Sequence, residues 1–240
     1  MGDLGGTVGG NGPDDGRPHD DGRPHVDADI DDDIDLTMVL LGLRLTSFAP
    51  AERVAAVVGL DAADAEPRLA VAAERGLAKH RDGRLSGWII TPAGRAEGER
   101  LLAAELDALG RRAAVHEAYL RFLELNVPCL ELCTDWQLRP VGDVQEVNDH
   151  TDAAYDAAVI ARLGVLADGL APVLDDLAAA LDRFARYRPR FAEARRRVEG
   201  GEVEWFTKPD IDSFHTVWFE LHEHLLATLG IERRSETAPS

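Results

Sequence analysis

The sequence predicts a mainly α-helical protein that contains one small β-hairpin. Three observations support this fold class. Apolar residues recur at helical spacing from about Leu36 onwards, a short segment at 77–90 alternates as paired strands do, and residues 1–35 contain few large apolar side chains. We therefore expect a disordered acidic tail over 1–35, a domain with the hairpin over 36–110, an all-helical domain over 111–232, and a short disordered tail over 233–240.

The predicted N-terminal tail is rich in Asp, Gly and Pro and contains the tetrapeptide GRPH twice, at 16–19 and 22–25. Eleven Asp against two Arg give residues 1–35 a net charge of −9. So little apolar surface does not offset the conformational entropy lost on ordering, which predicts disorder. We interpret the GRPH pair as part of a plain linker, because two histidines in a mobile acidic segment lack preorganised geometry; a partner motif and a weak metal ligand are the alternatives.

Three helices are predicted in the first half of the 36–110 domain. The first carries an apolar stripe from Leu36 to about Thr46. The second covers 51–58 and ends at Gly59, because glycine readily adopts the left-handed conformation of a helix C-terminus. Asp61 is a suitable N-cap for the third helix, which runs to about Arg75.

A hairpin and a fourth helix follow. Asp82-Gly83 tolerates the positive φ of a tight turn, and the return strand at 87–90 contains the aromatic and β-branched residues typical of strands. Thr91 is a suitable N-cap, and Pro92 stands at the first helical position, where no backbone donor is needed. Three helices, a hairpin and a helix form the order of a winged helix-turn-helix, a module that usually binds duplex DNA.

The candidate DNA contacts are Arg68 on the third helix and four hairpin residues, Lys79, His80, Arg81 and Arg84. The whole chain has a net charge of −18, but residues 36–98 are close to neutral, so contact with phosphate is possible there. Asp64 and Glu66 make the third helix less suitable for DNA than is usual. The alternatives are a solvated hairpin tip and a winged helix that docks a protein.

The 111–232 domain is predicted to be a helical bundle with one polar, irregular insertion. We expect helices over about 111–133, 151–167, 170–187, 189–198 and 210–229, and a loop over 134–150. The long helices over 92–133 and 165–229 are the expected dimer surfaces. No run of 18 apolar residues occurs, and Cys129 and Cys133 are too few for a disulfide framework, which favours a cytoplasmic protein without a membrane span.

Polar and aromatic side chains of the insertion and of the last helix are the candidate ligand site, because a few placed polar groups among apolar ones are typical of small-molecule pockets. The candidates are Trp136, Gln137, Arg139, Asn148, His150, His215, Trp218 and His222. For each of them, turn chemistry, capping or core packing is the alternative interpretation. Asn148 or His150 is expected to face His222.

Neither a metal nor a cofactor is assigned from the sequence. His222 and His224 point to different faces of a helix, and no HExxH or CxxC occurs. Cys129 and Cys133, four residues apart, are interpreted either as a buried pair or as a thiol site. No nucleophile–base pair, phosphate loop or glycine fingerprint is present, so an enzyme is not expected.

The pattern GL-x₁₃-TPAGR at 76–95 resembles the wing of MarR-like and PadR-like bacterial regulators, over about 36–110. The segments CTDWQ at 133–137, NDH at 148–150 and WFELHEHLLATLG at 218–230 resemble actinobacterial proteins generally labelled MarR-family regulators. The resemblance implies a one-component regulator with an all-helical C-terminal region, and it indicates no ligand. We expect a homodimer that binds operator DNA and an unknown small effector.

Overall fold

A computed structural model describes residues 26–232, and their side chains from Leu36 onwards. The helices are α1 (Val26–Thr46), α2 (Ala51–Val58), α3 (Ala62–Glu74), α4 (Pro92–Ala108), α5 (Arg112–Gln137), α6 (Ala153–Ala180), α7 (Tyr187–Glu199) and α8 (Phe214–Leu229). Two antiparallel hairpins are present, β1 (Ala78–Arg81) with β2 (Gly87–Ile90) and β3 (Leu138–Val141) with β4 (Val144–Val147). The protein is thus mainly helical, as predicted.

The local signals of the first domain are confirmed. Gly59 ends α2 with a φ of 77°, and the Asp61 side chain accepts a hydrogen bond from the Ala63 amide at the start of α3. Thr91 caps α4 by accepting from the Gly94 amide at 2.9 Å. These short-range interactions fix where each helix begins and ends.

The prediction of a loop over 134–150 is wrong in part. Helix α5 continues to Gln137, and the second hairpin, β3–β4, follows it with Gly142 at φ 63° in the turn. The hairpin is held to the helix because the Asn148 amide donates to the Gln137 carbonyl at 2.8 Å. Pairing with a neighbouring strand, rather than burial of alternate side chains, stabilises this segment, since β4 is exposed throughout.

Three predicted helix limits also differ. Helix α1 begins at Val26, ten residues inside the predicted tail, because helix propagation costs little once the stripe from Leu36 has nucleated it. Helix α6 runs through the predicted break at 168–169, since its buried face continues from Leu163 to Leu177. Helix α8 begins after Ser213 rather than at Asp210, because the Ser213 hydroxyl caps it. The predicted disorder of 1–25 and 233–240 lies outside the described residues.

Helix α8 joins the two halves of the chain. It packs on α4 and α1 as well as on α5 and α7. Ala227 belongs to the same apolar cluster as Leu41 and Leu102, and the buried guanidinium of Arg44 in α1 pairs with Glu99 of α4 and Glu223 of α8. Helix α8 is therefore in direct contact with α1 and α4, and α4 directly follows the first hairpin, so a movement of α8 would reach this part of the molecule.

Among the described residues, α6 is the one helix long and apolar enough to cross a membrane. Length and composition alone are weak evidence for a span. Leu163, Leu170 and Leu177 are each fully buried against neighbouring helices. This periodic burial is the pattern of a core helix.

Candidate functional site

The first hairpin is anchored by Trp88. Its backbone exchanges two hydrogen bonds with Ala49, at 2.8 and 3.2 Å, which adds the segment before α2 to the sheet. Its indole Nε1 donates to Glu66 of α3 at 3.1 Å, and the side chain is 5% exposed. The hairpin is thus fixed by main-chain contacts to the segment before α2 and by a side-chain contact to α3.

Exposed cations that form no ion pair surround this hairpin. They are Arg75 at the end of α3, Lys79 and Arg81 on β1, Arg84 in the turn, and Arg95 in the first turn of α4. None of the five forms an ion pair with another residue of 26–232, although the charge of Arg75 is close enough to Glu97 to help lower the pKa of that carboxyl. In contrast, the five arginines of α7 all form ion pairs, for example Arg195 with Glu199 at 2.7 Å and Arg196 with Glu193 at 2.7 Å. Sequence reasoning missed Arg75 and Arg95, although both directly flank the hairpin.

Two of the five predicted DNA contacts interact within the protein instead. His80 Nδ1 lies 3.1 Å from Asp82, its Nε2 lies 3.3 Å from the Ser86 hydroxyl, and its ring packs against Trp88. Arg68 donates to the Asp64 carbonyl at 2.9 Å and lies 3.4 Å from the Asp64 carboxylate. His80 therefore shapes the hairpin, and Arg68 is held along α3 rather than directed away from it.

The exposed face of α3 is acidic and partly apolar. Asp64, Glu66 and Glu74 are exposed, as is Val71 at 43%. A helix that reads base edges in the major groove usually carries amides or cations on this face. The positive surface of this half of the molecule is thus formed by the hairpin and its flanks.

Part of the predicted ligand site forms a compact cluster at the end of α5. Trp136 stacks on Phe206 with ring centroids 4.4 Å apart, and the centroid of the His150 ring also lies 4.4 Å from that of Trp136. The Asn148 amide nitrogen donates to the Trp136 carbonyl at 3.1 Å and to Asp156 at 2.8 Å. Asp156 was not predicted, and it is the residue that holds the cluster together.

The hydrogen bonds of Asp156 assign the His150 tautomer. Asp156 Oδ2 lies 3.0 Å from His150 Nδ1, and a carboxylate only accepts, so Nδ1 carries the proton. His150 also adopts a φ of 58°, which is unusual for a residue other than glycine. The side chain is one-third exposed. The arrangement presents an oriented imidazole at the surface, which suits hydrogen bonding to a ligand.

The other insertion residues lie at the edge of this cluster. Gln137 is exposed, and its backbone carbonyl accepts the hydrogen bond from the backbone amide of Asn148. Arg139 lies 3.7 Å from Asp149 and 3.9 Å from Asp152, and its buried Nε has no hydrogen-bond partner within 26–232. Arg139 is therefore only loosely held.

Two of the remaining predicted ligand residues, Trp218 and His222, form a second group around Phe122. Trp218 stacks on Phe122 at 4.8 Å and donates from Nε1 to Asn126 at 2.9 Å, and His222 lies 5.3 Å from Phe122. Both side chains are buried. His215 donates its backbone amide to the Phe206 carbonyl, and burial lowers the pKa of its imidazole. The expected single pocket is thus two packed groups.

Three grooves on the described surface have volumes of about 240, 340 and 510 Å³. None of the three is lined by any of the eight predicted ligand residues. The accessible part of the Trp136 cluster is the exposed edge of His150.

A buried polar network in α8 was missed. The Arg183 guanidinium, which only donates, lies 3.2 Å from His224 Nε2, so Nε2 accepts and Nδ1 carries the proton that is donated to the Tyr187 hydroxyl at 3.0 Å. Arg183 also pairs with Glu105 of α4. Burial, followed by the charge of Arg183, lowers the pKa of His224 well below its ordinary value. The network keeps His224 neutral and ties α8 to α4.

Cys129 and Cys133 are both buried on α5, 1% and 8% exposed. Hydrogen bonding to Cys133, together with burial, raises the pKa of the Cys129 thiol, which keeps it protonated. This environment favours the packing interpretation. No group of three or more His, Cys, Asp or Glu side chains within 26–232 is arranged to hold a metal ion. The GRPH repeats lie outside the described residues.

No protein-family model, curated protein or solved structure matches this chain. The resemblance to MarR-like and PadR-like regulators therefore depends on the quoted motifs alone.

Proposed function

We propose that this protein is a cytoplasmic, DNA-binding transcriptional regulator, in which α3 and the β1–β2 hairpin act as a winged helix. The observation that carries the proposal is the group of five exposed cations around the hairpin, defined above. In a chain of net charge −18, most cations are neutralised by nearby acids, yet these five form no ion pair within the described residues. Unpaired cations on a projecting hairpin suit the phosphate oxygens of a duplex.

The homodimer is part of this proposal. One hairpin and one acidic helix contact too few base pairs for useful specificity, whereas two half-sites multiply it. Because α3 carries few base-reading side chains, most of the affinity would come from phosphate contacts and would be strongly salt-dependent.

A small effector at the Trp136–His150 cluster is the proposed signal. This cluster lies at the end of α5, and α5 packs against α8, which contacts α1 and α4. An effector that favours one packing of α8 over another would shift the population of DNA-competent molecules.

The acidic exposed face of α3 supports a second candidate, a winged helix that docks a protein. Asp64 and Glu74 repel phosphate, and the partly exposed Val71 offers an apolar contact. In this case the hairpin cations would contact an acidic protein surface rather than DNA.

Footprinting on the protein's own promoter tests the proposal. The variants Arg81→Glu and Arg84→Glu each replace a phosphate contact by repulsion, and the matched control Arg196→Glu makes the same charge change on α7, at a side chain 66% exposed. The regulator hypothesis predicts protection by the wild-type chain and the control, and at least roughly tenfold weaker binding by both hairpin variants. Absence of a specific complex at low salt, or equal binding by all four chains, would contradict it.

A further inference from the structure

Helix α5 has a second apolar face. Leu120, Leu123, Val127 and Leu130 follow one another at steps of three and four residues, the a/d spacing by which one helix packs against another. Leu120, Val127 and Leu130 are 49%, 48% and 52% exposed. The opposite face of α5 is buried in the core. Because one apolar face of α5 packs in the core, the second apolar face is available to a partner. We call these four residues the α5 stripe.

A row of glutamates borders this stripe. Glu117, Glu124 and Glu131 are seven residues apart, all exposed, at the position that follows each d residue of the stripe and flanks the contact between paired helices. None of the three forms an ion pair within 26–232. Arg121 on the same helix pairs with Asp176, and Arg162, which lines the same groove as Glu131, pairs with Asp135. The row is therefore an uncompensated negative border.

The charge of this border disfavours a second copy of the chain as the occupant. In an antiparallel pair of α5 helices, the glutamate row would face its own copy. In a parallel pair it would face the other border of the stripe, Tyr119, Asn126 and Cys133, which contains no cation. Both arrangements leave three carboxylates without a partner.

We propose that the α5 stripe and its glutamate row form a docking surface for an amphipathic helix of another protein, with apolar residues at a/d spacing and Lys or Arg along one flank. The apolar residues of that helix would cover the stripe, and its cations would pair with the glutamates. Beyond the row lies a groove of about 340 Å³ bordered by Pro128 and Val165. Such a groove accepts the aliphatic stems of long cationic side chains. The surface is separate from the proposed DNA contacts.

The test uses the full chain and two synthetic helical peptides of three heptads. Both have Leu at the a and d positions, and they differ only in the flank, which is Lys and Arg in one and Glu in the other. Anisotropy titrations should show that the acidic peptide binds roughly tenfold or more weakly. Val127→Asp should abolish binding of the basic peptide, whereas Val144→Asp on β4, where the side chain is 59% exposed against 48% for Val127, should not change it.

Two triple variants with the same change in net charge show whether the preference for the basic peptide depends on the glutamate row or on the overall charge of the protein. Glu117→Lys, Glu124→Lys and Glu131→Lys together should reverse the preference between the peptides. Asp143→Lys, Glu146→Lys and Glu204→Lys make the same charge change at exposed positions elsewhere and should preserve it. Equal loss in both triple variants would overturn the proposal. So would sedimentation data in which Val127→Asp converts a dimer to a monomer, because a second copy would then cover the stripe.

Discussion

The buried histidine of α8 predicts a specific loss of stability in mild acid. His224 accepts from Arg183 at Nε2 and donates from Nδ1 to Tyr187, so the one unprotonated nitrogen, Nε2, cannot take up a proton without breaking the hydrogen bond from Arg183. Its pKa in the folded chain is well below the ordinary value of 6.5. Above pH 6.5 the imidazole is neutral in both states and contributes no pH dependence. As the pH falls below 6.5, His224 becomes protonated in the unfolded chain but stays neutral in the folded chain, so the folded state loses stability.

The magnitude follows from proton linkage. While the folded imidazole stays neutral, the free energy of unfolding decreases by up to about 1.4 kcal/mol per pH unit from this group. Between pH 7 and pH 5 the His224 contribution should therefore fall by about 2 kcal/mol. Other groups also titrate in this range, so the quantity to compare is the difference between wild type and a variant that lacks the imidazole.

Urea denaturation of wild type and His224→Gln at several pH values measures this difference. Gln retains an acceptor for Arg183 but does not titrate, so the variant should be less stable at pH 7 and its disadvantage should shrink by about 2 kcal/mol at pH 5. His116→Gln, at an exposed position on α5, is the control and should retain the wild-type profile. A stability difference between wild type and His224→Gln that does not change with pH would refute the assignment of a neutral, buried His224.

Two further predictions concern glycines and the polar cluster. A Cβ on Gly94 would lie 1.9 Å from the Leu77 carbonyl oxygen, whereas one on Gly169 would meet only Leu125 at 3.5 Å. Gly94→Ala should therefore lower the thermal midpoint sharply, and Gly169→Ala should raise the free energy of unfolding by up to about 1 kcal/mol through helix propensity. Asp156→Ala removes the acceptor of both Asn148 and His150, so it should cost about 2 kcal/mol of stability in denaturation experiments. An Asp156→Ala chain as stable as wild type would show that the cluster does not hold the second hairpin in place.

Elements with signals inside their own segment could be predicted from the sequence. Gly59 and the Thr91-Pro92 pair define helix ends through interactions within a few residues, and the structure has these limits as predicted. The first hairpin was predicted for the same reason, since Asp82-Gly83 lies between two alternating segments.

Elements that depend on distant contacts could not be predicted in this way. Helix α6 continues past Gly169 because its buried face packs on α5, and a local pattern gives no sign of that. The hairpin β3–β4 is fully exposed on one strand, so it lacks the apolar alternation by which strands are recognised.

The site was predicted by residue type but not by arrangement. Trp136, Asn148 and His150 do meet, but Asn148 and His150 are held by Asp156, a residue that was not singled out from the sequence. The Arg183–His224 pair joins residues 41 positions apart, and no spacing rule connects them.

The salt dependence of binding to the footprinted duplex tests the proposed DNA contact most directly. The measurement compares wild type with a chain in which Lys79, Arg81 and Arg84 are all replaced by Ala. If the three side chains neutralise phosphates, the slope of log binding constant against log salt concentration should become about 2.7 less steep in the variant. A slope equal to that of wild type would show that the hairpin does not contact the DNA backbone.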